Sequence, residues 1–153
     1  MERQPIMEIP GRWDIPYLYS IGSTAAKFFM ALGKNKLLAT YCPKCARAFV
    51  PPRSFCEDCF VPLDQWRELG HEGTIEAATI VFESFPGMPP PPYALAYVRL
   101  DGADTALGNF LRGIDLANLP LARKQLAIGG RVRVQFTDKP EGRITDFFYA
   151  ISK

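Results

Sequence analysis

The chain has 153 residues, of which 48% are apolar and 22% charged, the composition of a globular protein about one domain long or one domain plus a small module. No apolar run approaches the ~20 residues that a membrane-spanning helix needs, which argues against a membrane protein of that kind. The formal charge of +2 counts every thiol as neutral, and four metal-bound thiolates with a divalent ion bring it to neutrality, so a general affinity for nucleic acid is not written into the charge.

Residues 1–20 carry Pro5, Pro10, Trp13, Pro16, Tyr17 and Tyr19 with little periodicity and are read as an extended arm. Residues 1–30 lack the basic start, apolar centre and small-residue cleavage site of an export signal, so a cytoplasmic location is expected. Ser23 and Thr24 are expected to supply a hydroxyl cap for a short helix over Ala25 to Leu32, apolar on one side through Phe28, Phe29 and Leu32, with Gly33 as its stop. Leu37 to Tyr41 then reads as a strand.

That strand enters the most informative stretch of the chain. All four cysteines lie within eighteen residues, as Cys42-Pro43-Lys44-Cys45 and Cys56-Glu57-Asp58-Cys59. Each pair can fold into a tight knuckle that aims two thiolates at one ion, and two knuckles complete a four-sulfur tetrahedron with no position left for water or substrate. A closed shell implies a structural role, and a ribbon built this way is expected to unfold without its metal. Disulfides would require an oxidising compartment, which nothing in the sequence suggests. A redox pair usually stands alone beside a βαβ pattern, and neither condition is met here. Zinc is the expected ion; iron suits the same sulfur tetrahedron. Between the knuckles Arg47 to Arg53 forms a short hairpin, and Trp66 lies on the extended exit from the second knuckle.

From Gly73 the pattern becomes that of strands: Thr74 to Phe82, Tyr93 to Leu100, and Thr105 to Leu111 after the turn Asp101-Gly102-Ala103-Asp104. Asp115 to Ile128 has a helical composition interrupted by Pro120, and Gly129-Gly130 ends it. Arg131 to Phe136 alternates strictly, and Arg143 to Ile151 follows the turn over residues 138–142. Five strands with a helical insert between the third and fourth is the order of an OB-type barrel.

The ordered combination is more specific than the cysteine pairs alone. The helix and strand before Cys42, the four cysteines, Pro51-Pro52-Arg53, Gly73-Thr74, Pro92-Tyr93-Ala94-Leu95-Ala96, Leu107-Gly108-Asn109 and Ile128-Gly129-Gly130-Arg131-Val132 together resemble the rubredoxin-like zinc-ribbon/OB-fold proteins that accompany thiolases and thiolase-like acyl-CoA enzymes. The resemblance covers the chain from about residue 23. Read together with the elements above, it gives a mainly β protein with an N-terminal helical arm over residues 1–36, a zinc ribbon over 37–68 and a five-stranded OB-fold barrel over 69–153; the resemblance is weaker over the arm. It further implies a non-catalytic accessory subunit in a hetero-oligomer with a thiolase-fold catalytic subunit, handling a coenzyme A thioester as the shared substrate. By length it is similar to the small subunit of a thiolase of anaerobic aromatic degradation, such as one that cleaves benzoylsuccinyl-CoA.

The residues point the same way independently. Thiolytic chemistry needs a nucleophilic cysteine with a base beside it, and no cysteine is spare here. The only histidine, His71, lies in Leu69-Gly70-His71-Glu72-Gly73 with no identifiable nucleophile, so no catalytic residue is assigned. Lys36, Lys44, Arg47 and Arg53 surround the ribbon; they either receive the phosphates of coenzyme A or offset the charge of a four-thiolate ion. The proline-rich stretch Phe85 to Pro92 is read either as a stiff polyproline II loop that probes a partner's cleft through Phe85 and Met88, or as a rigid surface hairpin. A single-stranded nucleic-acid module is the rival function, since ribbons and OB barrels both serve that role, but Tyr93, Tyr97, Phe110 and Phe136 come without a matching excess of positive charge.

Overall fold

The computed structural model describes residues 15–152. The expected arm falls largely on residues 1–14, outside that range. Residues 15–21 carry no regular structure, and Ile15, Tyr17, Leu18 and Tyr19 are exposed.

Helix α1 spans Gly22–Leu32 and buries Phe28, Ala31 and Leu32. Its two ends correct the expected caps. The helix starts at Gly22, whose φ of 75° suits glycine, so Ser23 and Thr24 lie inside the helix rather than at its cap. At the other end Gly33 keeps φ at −61°, and Asn35 takes the left-handed position with φ 59°. The Lys36 N–H donates to the Ala31 carbonyl at 3.0 Å and the Asn35 N–H to that of Leu32 at 2.9 Å, a Schellman closure built on asparagine. Gly33 serves packing instead: a Cβ there would lie 3.3 Å from the Gly142 nitrogen.

Strands β1 (Leu37–Tyr41), β2 (Ala48–Phe49) and β3 (Gln65–Leu69) form an antiparallel sheet in the order β2-β1-β3, and Trp66 of β3 stands opposite Thr40. Strands β4 (Glu72–Val81), β5 (Tyr93–Leu100), β6 (Ala106–Arg112), β7 (Arg131–Phe136) and β8 (Phe147–Ile151) close a barrel in the order β4-β5-β6-β8-β7. Its β6–β8 pair is parallel while the other pairs are antiparallel, the closure of an OB fold. Gly73 is required where β4 meets β5, because a Cβ would fall 2.6 Å from Val98 Cγ1.

Two barrel elements differ from expectation. The helical insert is only Leu119–Gln125 (α2), and Pro120 sits in its first turn, where a missing N–H costs nothing; the Asn118 side chain caps it by accepting from the Leu121 N–H. The last strand starts at Phe147, because residues 144–146 form a 3-10 turn. The buried Asp146 carboxylate causes this by accepting the N–H groups of Glu141, Gly142 and Arg143 at 2.9, 2.6 and 2.8 Å.

One apolar core runs through both sheets, joining Phe28 and Leu32 of α1 and Leu37 and Val50 beside the ribbon to Val98, Val132 and Tyr149 of the barrel. A polar clamp fixes their relation. The Ala48 N–H donates to the Asp104 carboxylate and the Asp104 N–H to the Ala48 carbonyl, both at 2.8 Å. Thr105 does the same for Val50 through one hydroxyl, accepting from its N–H and donating to its carbonyl at 2.8 Å.

Candidate metal centre and barrel groove

The two knuckles are built on one backbone plan. In the first, the Cys42 N–H donates to the Arg47 carbonyl at 2.8 Å; in the second, the Cys56 N–H donates to the Val61 carbonyl at 2.9 Å. Each places a residue with positive φ directly after its second cysteine, Ala46 at 60° and Phe60 at 54°. A side chain in that region costs about 1–2 kcal/mol relative to glycine, so both turns hold strain that ligand bonds can offset.

The plan brings the four sulfurs together. All lie within 4.8 Å of one another, with Cys42 and Cys56 buried and Cys45 and Cys59 half-buried. The Cys45 and Cys56 sulfurs are 3.6 Å apart, close to the tetrahedral edge of about 3.8 Å that metal–sulfur bonds of about 2.3 Å produce. Burial pushes the Cys42 thiol up, but the backbone N–H groups of Cys45 and Lys44 and the neighbouring sulfurs outweigh it and bring it down to about 7. Burial and the other sulfurs push Cys59 up to about 12. Metal binding must therefore expel protons, which makes loading depend on pH. The donor set fits a four-coordinate ion with a closed shell. The surrounding apolar support is small: Phe49 and Leu63 complete a buried cluster with Cys42 and Cys56.

Against the barrel side of the ribbon lies an apolar groove of about 470 Å³, lined by Phe28 and Phe29 of α1, Pro51, Pro52, Tyr97 and Ile144 among others. A second hollow of about 340 Å³ shares Tyr97, Gly108 and Ile144 and extends to Met88. Gly108 eases the packing of the floor, because a Cβ there would lie 3.2 Å from Tyr97 Cζ, a tight contact. Beside it the buried Asn109 donates to the Ile144 carbonyl at 2.9 Å and so holds the groove's edge.

The order of these parts decides the family. Residues 31–64 match the family described as the ChsH2 rubredoxin-like zinc ribbon domain, and residues 66–137 match the ChsH2 C-terminal OB-fold domain. The chain belongs to the ChsH2 zinc-ribbon/OB-fold family. No curated protein sequence gives a significant match. Two solved structures share the ChsH2-type fold. A protein of unknown function from the DUF35 family of Sulfolobus solfataricus is 23% identical, with a TM-score of 0.64 over 86% of this chain and 87% of its own. A structure named Ltp2-ChsH2(DUF35) aldolase is 21% identical, with a TM-score of 0.63 over 87% of this chain and 96% of its own.

Within this ChsH2-type frame the residues singled out from sequence separate into three places. Arg47 pairs with Glu57 and Asp58, Arg53 pairs with Glu57, and both guanidinium groups lie over the Phe49 ring at 4.9 and 5.0 Å. Lys44 is exposed on the first knuckle, and Lys36 stands apart at the start of β1, 2.7 Å from Glu68. Phe85 and Met88 lie in the β4–β5 loop, linked by a Met88 N–H to Phe85 carbonyl bond of 3.1 Å, and Met88 reaches the groove. The Pro91–Pro92 bond in the same loop is cis. His71 is exposed with its ring 5.5 Å from that of Phe136. Sequence reasoning missed Phe60, Asp104, Thr105 and the groove. The first had a signal in its position after the second cysteine; the others depend on contacts across more than fifty residues.

Proposed function

We propose that the chain is a non-catalytic accessory subunit of a thiolase-like acyl-CoA enzyme, with structural zinc in its ribbon and the barrel groove available to the acyl-CoA substrate. The observation that carries this reading is the ordered match to both ChsH2 domains, joined by the likeness to a chain whose structure is named as an Ltp2-ChsH2 aldolase. The chemistry of this chain supports it. Every thiol lies in the cluster, where a metal would occupy it, and His71 rests against an aromatic ring. Carbon–carbon bond chemistry would then fall to the partner's residues. The match to a rubredoxin-like zinc ribbon domain favours zinc for this four-sulfur donor set. The groove beside Pro51 and Pro52 is apolar enough for an acyl or pantetheine segment, with Lys44 on the exposed knuckle as a cation for phosphate.

The nucleic-acid alternative is weakened by ion pairs that offset part of the basic surface: Arg99 pairs with Glu76, Arg131 with Asp101, and Arg47 and Arg53 with the second knuckle's acids. The deciding experiment is co-expression with thiolase-fold subunits, including one acting on benzoylsuccinyl-CoA. Activity that appears only in the complex and survives His71→Ala is the expected outcome. A chain that stays alone, or that shifts single-stranded nucleic acid with a steep salt dependence, overturns the proposal.

A further inference from the structure

The two knuckles differ at one matched position. Ala46 and Phe60 occupy the same left-handed site after the second cysteine of their pairs. Ala46 shows that a methyl group is enough for the backbone. Phe60 nevertheless carries a full aromatic ring and is 83% exposed, and Phe55 on the same knuckle is 55% exposed. The shared knuckle plan accounts for the left-handed backbone, but nothing among the described residues accounts for the ring or its exposure. A ring fixed at the tip of a metal-tied turn has little conformational freedom to lose on contact, which is the property of an interface anchor. The side chains between the two rings favour protein over nucleic acid as the partner. Glu57 and Asp58 are carboxylates, and the arginines that meet them come from the ribbon itself, so the tip offers apolar rings in a charge-balanced setting rather than a phosphate site.

We infer that Phe60, supported by Phe55, is the anchor by which the ribbon tip enters an apolar pocket of the thiolase-like catalytic subunit. This rests on the accessory-subunit reading above and names the surface that would carry it.

The test uses the full-length, zinc-loaded chain and the catalytic subunit found by co-expression, with affinity measured by titration of purified partners. Phe60→Gly removes the ring and relieves the left-handed turn together. It should keep its metal and melt no lower than the wild type, yet bind at least about tenfold more weakly. Ala46→Gly relieves the matching turn and should leave affinity within about twofold. A structural role for the ring predicts loss of stability and affinity together, whereas an anchor predicts that they move apart. Should Phe60→Gly lose metal, Phe60→Asn, which tolerates the left-handed region, carries the same expectation. Either variant binding like the wild type while folded and metal-loaded overturns the inference and leaves the accessory reading intact. A wild-type chain that binds no such subunit overturns both.

Discussion

The ribbon and the barrel are held together by different means, and the boundary between them runs through the ribbon rather than beside it. The barrel core is a cluster of twenty buried residues, and it includes Leu37, Ala39, Ala48 and Leu69 from the ribbon's own sheet and Val50 just past β2. Beyond those residues the apolar support shrinks to Cys42, Phe49, Cys56 and Leu63. The lower half of the ribbon is therefore part of the barrel's core, and only its tip depends on the ligand bonds. Small modules with so little buried surface need a metal or a crosslink to persist.

Metal removal is the strongest test of that division. Structural zinc in isolated finger peptides contributes about 10–16 kcal/mol of apparent binding free energy at pH 7, far more than the tip's few apolar contacts can replace. Chelation, or Cys56→Ser, should abolish amide protection over residues 42–47 and 54–63, while the Ala48 and Val50 amides keep theirs through Asp104 and Thr105. The amides of β4 to β8 should stay protected, and those of β1 paired with β3 should weaken only toward Tyr41. Hydrogen exchange followed by mass spectrometry reads this directly, and simultaneous loss of barrel protection would show that the two regions form one cooperative unit.

The next effect tests the shared core from the helix side. Leu32 is fully buried between α1 and the rest of the core. Leu32→Ala should cost about 2–5 kcal/mol of barrel stability in denaturant unfolding, while metal content stays at one ion per chain. A smaller loss, within about 0.5 kcal/mol, would mean that the helix packs on the barrel without being part of its core.

A smaller change separates the polar clamp from the packing. Thr105→Val keeps the shape but deletes both hydrogen bonds to Val50, leaving a backbone donor and an acceptor without partners. The expected cost is about 2 kcal/mol, with faster metal release to a chelator as the ribbon loosens. Unchanged release would place the coupling entirely in the apolar contacts.

Much of this arrangement is legible in the sequence because it is local. The cysteine spacing needs no tertiary information, and the alternation of Arg131 to Phe136 reappears as alternating exposed and buried positions over most of β7. The barrel's strand order follows from the number of strands and the place of the insert. The misses share a physical cause, which is that one side chain overrides the local pattern from a distance or from a neighbouring turn. Asp146 gathers three N–H groups and turns an expected strand start into a 3-10 turn. Asn35 takes over the stop expected at Gly33, and Gly33 is needed instead for contact with Gly142, more than a hundred residues away. Asp104 reads as a turn residue, yet its carboxylate holds the ribbon strand at Ala48.

The smallest expected effect lies wholly on the barrel and distinguishes it from the tip by pH. Arg131 of β7 grips Asp101 through two hydrogen bonds of 2.8 and 2.6 Å, and this holds the Asp101 carboxyl below its ordinary value. A carboxylate with a depressed folded-state pKa contributes stability above its unfolded value, near pH 4, and loses it as pH falls through the lower folded value. Both side chains are about half exposed, so solvent and salt screen most of the interaction. Asp101→Asn should lower the barrel's melting midpoint by less than about 2 °C at pH 6. The difference should vanish once the pH has fallen through the lowered folded value, where wild-type Asp101 is also protonated. The comparison is made on metal-free samples, because the thiolates of the tip release their ion well before that pH. A difference that persists unchanged at low pH would mean that Asp101 acts through the shape of its turn, whose N–H donates to the Glu72 carbonyl at 2.9 Å, and not through its charge.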